Sequence, residues 1–331
     1  MRAVQVLEYG GSDRLTVTDI PRPDPGAGEV RVRLAFAGVN FIDVYMRNGM
    51  YAKNRAYGTT VPLTLGMEGA GVVDAVGDGV EGLTAGDRVA YCLSPGSYAE
   101  FAIVPAWKLV PVPDDVALEK AAALMLQGCT GHYLTHSLFP LEAGQACLIH
   151  AGAGGVGQVL IQLAKARGAR VLTTVGSPEK ADIAKSLGAD EAILYKDVDF
   201  KQVVDDLTGG EGVHVVYESV GKDTFERSLF CLRHRGTCVL FGFSSGAVTS
   251  VNPQSLAEAG SVFMTRPNLA DYMTTADEIS GRAGDLFRGV SAGNLQINIS
   301  DIIDLDNAAT AHDALEGRAT SGKLLLRMEF T

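Results

Sequence analysis

The stretch Cys147-Leu148-Ile149-His150-Ala151-Gly152-Ala153-Gly154-Gly155-Val156-Gly157 decides how this chain folds. A short apolar strand runs into a turn with glycines at 152, 154 and 157. The segment from Val156 to Arg167 then carries apolar Val159, Leu160 and Leu163 at helical spacing, with Gly168 as a stop. The Gly-x-Gly-x-x-Gly motif gains meaning from this context of strand before and helix after. Glycine lets the backbone come close to a pyrophosphate, and the helix N-terminus offers unpaired N–H groups and the positive end of its dipole. The stretch predicts a dinucleotide cradle at the first turn of a parallel sheet.

Working outward, the rhythm of strand and helix continues. Arg170 to Val175 reads as the next strand. Ser177 caps a helix with Pro178 at its first position, and Gly188 ends it. Strands at 192–195, 213–217 and 237–241 alternate with helices near 199–207 and 223–233, a pattern that predicts a parallel sheet with helices on both faces. Upstream, residues 1–123 read as mostly β. Glu29-Val30-Arg31-Val32-Arg33-Leu34 alternates polar and apolar, further strands fall near 71–73, 87–91 and 98–104, and Pro111 to Asp115 reads as a boundary linker. After about 266 the pattern is mixed again and reads as a return to the first domain. The expected architecture is α/β: a mostly-β domain from 1–123 and 266–331, and a doubly wound parallel-sheet domain from 124–265.

Charge and composition narrow the function classes. The 331 residues carry a formal net charge of -11 with no offsetting basic run, which argues against nucleic acid or an anionic membrane surface as partner. No segment approaches the roughly 20 apolar residues of a membrane span. Met1 to Val6 begins as a strand and lacks the apolar region of a signal peptide. Five cysteines, an odd number without a Cys-x-x-Cys pair, fit reduced thiols and a cytoplasmic location.

The choice of dinucleotide turns on the end of the second parallel strand. NAD-binding proteins place an acidic residue about 20 residues past the motif to hold the ribose hydroxyls. Here that place is Ser177, Val175-Gly176-Ser177 contains no acid, and Lys180 follows in the next helix. The expected cofactor is therefore NADPH, with Lys180 a counter-charge for the 2′-phosphate.

With these residues in view, the whole chain resembles the NADPH:quinone oxidoreductases of bacteria, zinc-free relatives of zeta-crystallin within the medium-chain dehydrogenase/reductase superfamily. The marks are Asn40-Phe41-Ile42-Asp43-Val44-Tyr45 with Gly49-Met50-Tyr51, Ala151 to Gly157, Val216 to Gly221, Phe241 to Gly246, Thr265-Arg266-Pro267 and Arg318-Ala319-Thr320. The resemblance implies a GroES-like catalytic domain made from both chain ends and a Rossmann domain between them. It implies that Gly154, Gly155 and Val156 meet the pyrophosphate, and that Gly176, Ser177, Lys180 and Tyr195 surround the 2′-phosphate. By the same resemblance, Ser219 and Phe241, Gly242, Phe243, Ser244 and Ser245 line the nicotinamide side. Phe41, Ile42, Asp43, Val44 and Tyr45, with Thr130 and Arg318, complete the cofactor site. Asn40, Tyr45 and Tyr51 are the expected substrate-positioning residues, with no indispensable acid among them.

Zinc-dependent members of the superfamily carry Cys near position 40 and Gly-His-Glu near 66–68, where this chain has Asn40 and Gly66-Met67-Glu68. Asn and Met are poor zinc ligands, so no metal is expected, and Glu68 reads as a structural acid. Gln127 stands where some relatives have lysine and is given no catalytic role. The six histidines show no metal-type spacing, and His132 and His136, four apart, lack a Glu partner. The expected reaction is NADPH-dependent reduction of a quinone or related electrophile by a homodimer paired through the strand-like Ser261 to Thr265. The alternatives are reduction of an alkenal, enone or enoyl-thioester double bond, and, in another class, a crystallin-like structural or RNA-binding protein.

Overall fold

Strand Ala146–Ile149 is apolar along its length and lies at the middle of a six-stranded parallel sheet. The structure, a computed structural model, describes residues 1–318 and 320–328. Across the sheet the strands run Glu191–Leu194, Arg170–Val175, Ala146–Ile149, Val213–Glu218, Leu232–Leu240 and Phe263–Thr265. Every neighbouring pair is parallel. Numbered along the chain this is the order 3-2-1-4-5-6 of a Rossmann fold, in which the winding reverses between the first and fourth strands. Leu148, Leu172, Val216 and Cys238, one from each of four strands, belong to one buried core cluster. Such continuous apolar strands are expected where helices cover a parallel sheet.

Helices follow their sequence signals. Gly155–Ala166 begins at the glycine turn, with Gly154 as N-cap. Pro178–Ser186 begins at Ser177, whose side chain accepts from the Lys180 N–H, with Pro178 in the first turn. Phe200–Thr208 ends on Gly209 at φ 64, the left-handed conformation that suits glycine.

The sheet's own unit is Thr130–Leu269, and the remainder of the chain, Met1–Cys129 with Ala270–Thr331, forms a second compact unit. Its larger sheet is organised by the long strand Glu29–Val39, which pairs antiparallel with Glu68–Val76, Phe101–Pro105 and Lys323–Arg327. The pairing of Leu324 with Val39 and Leu325 with Gly38 is how the end of the chain rejoins its beginning. A smaller sheet joins Arg2–Val6 to Leu15–Asp19 and Leu63–Thr64. Where a linker was expected at 111–115, the chain has a two-residue strand, Val110–Pro111, and then the helix Leu118–Tyr133. That helix buries Ala121, Ala122, Ala123, Leu124 and Met125 together, so it lacks the one-sided periodicity that announces a surface helix.

Candidate cofactor and substrate sites

The glycine turn sits at the C-terminal end of Ala146–Ile149, beside the reversal point of the sheet, where open α/β folds take their ligands. Its shape depends on missing side chains. A Cβ on Gly152 would lie 2.1 Å from Thr173 Oγ1, and one on Gly157 would lie 2.2 Å from the Ala151 carbonyl oxygen. A Cβ on Gly154 would meet only the Ala151 carbonyl, at 3.2 Å, so Gly154 keeps the cradle open rather than the core packed. The Gly154 N–H donates to Ala151 O at 2.9 Å, and the buried Gln158 amide donates to Ala153 O at 2.8 Å, which fixes the turn from beneath. The first-turn N–H groups of Gly155–Ala166 have no intrahelical acceptor by geometry and face the cradle's end of the helix. Their chemistry suits a pyrophosphate.

One strand over, Arg170–Val175 runs into Gly176 and Ser177, and the neighbouring strand Glu191–Leu194 is followed by Tyr195, whose N–H donates to Val175 O at 3.3 Å. A Cβ on Gly176 would lie 3.2 Å from the Tyr195 hydroxyl oxygen, so the glycine lets this ring approach. Tyr195 is 40% exposed and Lys180 half-buried. Burial, and then the neighbouring Lys196 ammonium, hold Lys180 below the usual lysine value. A cationic spot with tyrosine and serine hydroxyls suits a phosphate monoester.

Beyond the reversal point, two loops are stitched together. The Ser244 and Ser245 N–H groups donate to Ser219 O at 3.2 Å and Val220 O at 2.8 Å, and Phe241 N–H donates to Glu218 O at 2.9 Å. Ser219 Oγ donates to His150 O at 3.2 Å, tying the loop to the glycine turn. Gly242 approaches Ser219 so closely that a Cβ would meet its carbonyl oxygen at 2.9 Å. The Arg266 guanidinium lies 5.2 Å from the Phe243 ring centre.

A buried network that the sequence did not announce supports these loops. Glu218 Oε1 accepts from the N–H groups of Val220 at 2.7 Å and Gly221 at 3.0 Å, and Oε2 accepts from Ser228 Oγ at 2.6 Å. Since Ser228 gives its proton to Glu218, it accepts from His150 Nε2–H at 2.9 Å, leaving Nδ1 to accept from Thr174 Oγ1 at 2.8 Å. Burial works against ionising Glu218, yet His150, Ser228 and the two N–H groups together hold its carboxyl below the usual range. Burial also holds the His150 imidazole below its ordinary value. The Ser228 hydroxyl and the Val220 and Gly221 N–H groups face the Glu218 carboxylate directly.

The other unit holds Asn40, Tyr45 and Tyr51. Asn40 N-caps the helix Phe41–Arg47, and its N–H donates to Asp43 Oδ2 at 2.9 Å. The Asn40 side-chain amide is committed inward. Its Nδ2 donates to Glu68 Oε2 at 2.9 Å and Gly38 O at 3.3 Å, and its Oδ1 accepts from Lys323 Nζ at 2.6 Å. Lys323 also pairs with Glu68 at 2.5 Å, both side chains are buried, and Glu68 Oε1 takes the Leu126 N–H. Glu68 is thus half of a buried ion pair, and an ammonium stands beside Asn40 and Glu68. A Cβ on Gly38 would lie 2.0 Å from Glu68 Oε2 and 2.8 Å from Lys323 Cε, so that glycine makes room for both members of the pair. Among the described residues no group of three or more His, Cys, Asp or Glu side chains is placed to hold a metal ion.

Tyr45 and Tyr51 meet edge to face with ring centres 5.4 Å apart, and Tyr51 stacks on Tyr57 at 5.6 Å. Phe41 lies 6.0 Å from Tyr45. The Tyr57 hydroxyl accepts from Ala270 N–H at 3.0 Å, and burial pushes its phenol up to about 12. Phe41 and Ile42 are half-buried, whereas Asp43 and Val44 are buried. The Asp43 carboxyl takes the Tyr98 hydroxyl at 3.2 Å, and Tyr98 in turn meets His312 Nε2 at 3.1 Å. Thr130 is buried near the end of Leu118–Tyr133, and Gln127 is buried on the same helix. Arg318 is exposed just past the helix Ala308–Glu316, at φ 55; Ala319, part of the same sequence mark, lies outside the described residues. His132 and His136 stack with ring centres 4.2 Å apart.

A Rossmann unit and a unit closed by both chain ends define a medium-chain dehydrogenase/reductase. Residues 26–114 match the alcohol dehydrogenase GroES-like domain, and residues 155–280 match the zinc-binding dehydrogenase family. The chain belongs to the quinone oxidoreductase family. It is 43% identical over 326 residues to a quinone oxidoreductase of Pseudomonas aeruginosa, covering 98% of this chain and 99% of that one. The structure of Escherichia coli quinone oxidoreductase complexed with NADPH superposes with a TM-score of 0.95 at 39% identity, over 99% of this chain and 100% of that one. A 2-haloacrylate reductase of a Burkholderia species is 40% identical, covering 98% of both chains.

Proposed function

We propose that this protein is an NADPH-dependent quinone reductase that works without a metal ion. The observation that carries this reading is the furnishing of the sheet's reversal point: an open glycine cradle at a helix N-terminus, and one strand over a site of Ser177, Lys180 and Tyr195. Gly154, Gly155 and Val156 hold the pyrophosphate, and Gly176, Ser177, Lys180 and Tyr195 hold the 2′-phosphate. Ser219 and residues 241–245 orient the nicotinamide. Phe41 to Tyr45, Thr130 and Arg318 complete the cofactor site. When bound, NADPH supplies the hydride. Tyr45 and Tyr51 position the acceptor ring, and Asn40 acts through its place between Glu68 and Lys323, because its amide hydrogens are already engaged.

Metal-free operation is supported by Asn40 and Met67 at the superfamily's ligand positions and by the Lys323 ammonium beside Glu68. Chelation should leave turnover intact; stoichiometric zinc lost together with activity would overturn this part of the reading. The exposed strand Phe263–Thr265, with Phe263 62% exposed at the sheet edge, supports a homodimer that covers it. A monomeric mass by light scattering across micromolar concentrations would contradict the dimer. Five buried free cysteines accord with a cytoplasmic protein, and among the described residues no helix is long and apolar enough to cross a membrane.

The testing experiment compares NADPH oxidation with 1,4-benzoquinone, crotonaldehyde and crotonyl-CoA, and the quinone should be fastest. Likeness to a 2-haloacrylate reductase supports activated-alkene reduction as the second reading, and faster turnover of the enal or thioester would favour it. Tight NADPH binding without oxidation by any acceptor would instead return the crystallin-like structural or RNA-binding class, against which the charge of -11 weighs.

A further inference from the structure

We propose that Lys196 is a second cation of the 2′-phosphate subsite and that, with Lys180, it selects NADPH over NADH; this rests on the NADPH reading above. Two adjacent strand ends deliver the residues. Val175 pairs with Leu194 in parallel register, so Gly176-Ser177 leaves the sheet beside Tyr195-Lys196. The two segments converge at Gly176, where a Cβ would lie 3.2 Å from the Tyr195 hydroxyl oxygen and 3.6 Å from Lys196 Cε. The Lys196 stem therefore passes close to the glycine, while the residue stays exposed to an arriving ligand. From the opposite side, Lys180 feels the Lys196 ammonium as an unfavourable neighbour, after burial itself.

Two like charges brought together in this way repel, and such an arrangement is stabilised when an anion arrives between them. Among the described residues no carboxylate forms an ion pair with Lys196, although the protein as a whole is acidic. The acids near the spot are Glu179, whose carboxylate takes the Ser177 hydroxyl, and Asp197, exposed and next in the chain. Neither occupies the point at Gly176 where the lysine stem and the tyrosine hydroxyl converge. A phosphate monoester carries about -1.5 to -2 at neutral pH, whereas a ribose hydroxyl carries no charge. The lysine pair therefore gains from a 2′-phosphate and not from a 2′-hydroxyl. It also supplies a local positive field against an overall charge of -11.

The test uses Lys196→Met, which keeps most of the aliphatic stem and removes the charge from an exposed position. Binding of 2′,5′-ADP and of ADP is measured by titration calorimetry, alongside the Michaelis constants for NADPH and NADH. The variant should bind 2′,5′-ADP about three- to tenfold more weakly, the range for one partly exposed charge-assisted contact, with ADP unchanged within about twofold. Lys196→Arg should restore most of the loss, and Lys180→Met combined with Lys196→Met should lose more than either alone. A change of less than about twofold on 2′,5′-ADP, or equal losses on both nucleotides, overturns the role of Lys196. If the wild-type protein itself binds 2′,5′-ADP no better than ADP, the NADPH reading fails first, and that result is visible before any variant is made.

Discussion

Replacing Lys323 with methionine removes one partner of the buried pair while roughly conserving volume, and Glu68 is left without its counter-charge at 2.5 Å. At an effective dielectric of about 20, two unit charges at that distance attract by roughly 6–7 kcal/mol before desolvation is subtracted. Removing one member of a buried pair typically costs 3–5 kcal/mol. Glu68 keeps hydrogen bonds from Asn40 Nδ2 and the Leu126 N–H, so the expected loss lies at the lower end, about 3 kcal/mol near neutral pH. Glu68→Gln leaves the buried ammonium without its counter-charge and should cost a similar amount. The double variant should recover to within about 1–2 kcal/mol of wild type, since a neutral pair leaves no uncompensated charge. Trp107, the single tryptophan, lies in the same unit and is 44% exposed, so its fluorescence in urea reports the unfolding of this half. A deficit below about 1 kcal/mol for both single variants, or no recovery in the double variant, would refute the assignment of a charged, coupled pair.

Three further outcomes follow from the sites. Lys180→Ala should raise the Michaelis constant for NADPH roughly tenfold or more with little effect on NADH, and equal effects on both would remove the 2′-phosphate assignment. Glu218→Gln should weaken NADPH binding by about 1–3 kcal/mol, because one amide oxygen replaces a charged acceptor of three donors. The depressed Glu218 value also means that its stabilisation is present above the ordinary carboxylate range and lost as pH falls through the lowered value, so the variant should show a flatter acid limb; an unchanged acid limb would count against the network. Tyr45→Phe and Tyr51→Phe should each cost little in turnover while the alanine variants cost more through lost ring packing; a 10²–10⁴-fold loss in a phenylalanine variant, with NADPH binding intact, would reveal a proton donor.

The parallel half of the fold was legible because its signals are local. Gly152 and Gly157 are each required by a neighbour within a few residues or one strand away, and Ser177-Pro178 starts a helix by chemistry contained in two positions. The helix Leu118–Tyr133 was harder to read, since burial on all sides removes the periodicity that marks an amphipathic helix. The polar networks were illegible for a different reason. Lys323 and Glu68 stand 255 positions apart, and nothing near either residue names the other. Glu218 sat within a recognised stretch, yet its task, bonding two N–H groups in the following turn and a serine from the next helix, depends on a turn shape that sequence does not reveal. Asp43 plays a packing and hydrogen-bonding part that no sequence signal announced. It was expected among the cofactor residues, but its side chain is fully buried with a carboxyl raised to about 7, chiefly by burial. Lys196 carries no signal in the sequence, and only the approach of its stem to Gly176 distinguishes it.

The ammonium beside Asn40 also bears on which acceptors suit the proposed reaction. A metal ion at such a place polarises a substrate oxygen because its charge exceeds that of its ligands, whereas Lys323 already faces Glu68 at 2.5 Å and retains little net charge for a third partner. The acceptor must then stabilise its own developing negative charge. Reducing a simple ketone creates an alkoxide, comparable in basicity to the conjugate base of water, whose pKa is about 15.7. Reducing a quinone creates a phenolate-like oxygen with a pKa near 10, and the difference of about 6 units corresponds to roughly 8 kcal/mol that no protein group need supply. Tyr57, with its phenol pushed up to about 12, is a weaker acid than an ordinary tyrosine and does not alter that balance. Tyr45, Tyr51 and Tyr57 are buried and packed ring on ring, a rigid aromatic run of the kind the proposed reading needs beside a quinone. On the proposed reading, a unit that neutralises its own buried cation suits electron-poor acceptors that carry their own activation better than alcohols and simple ketones.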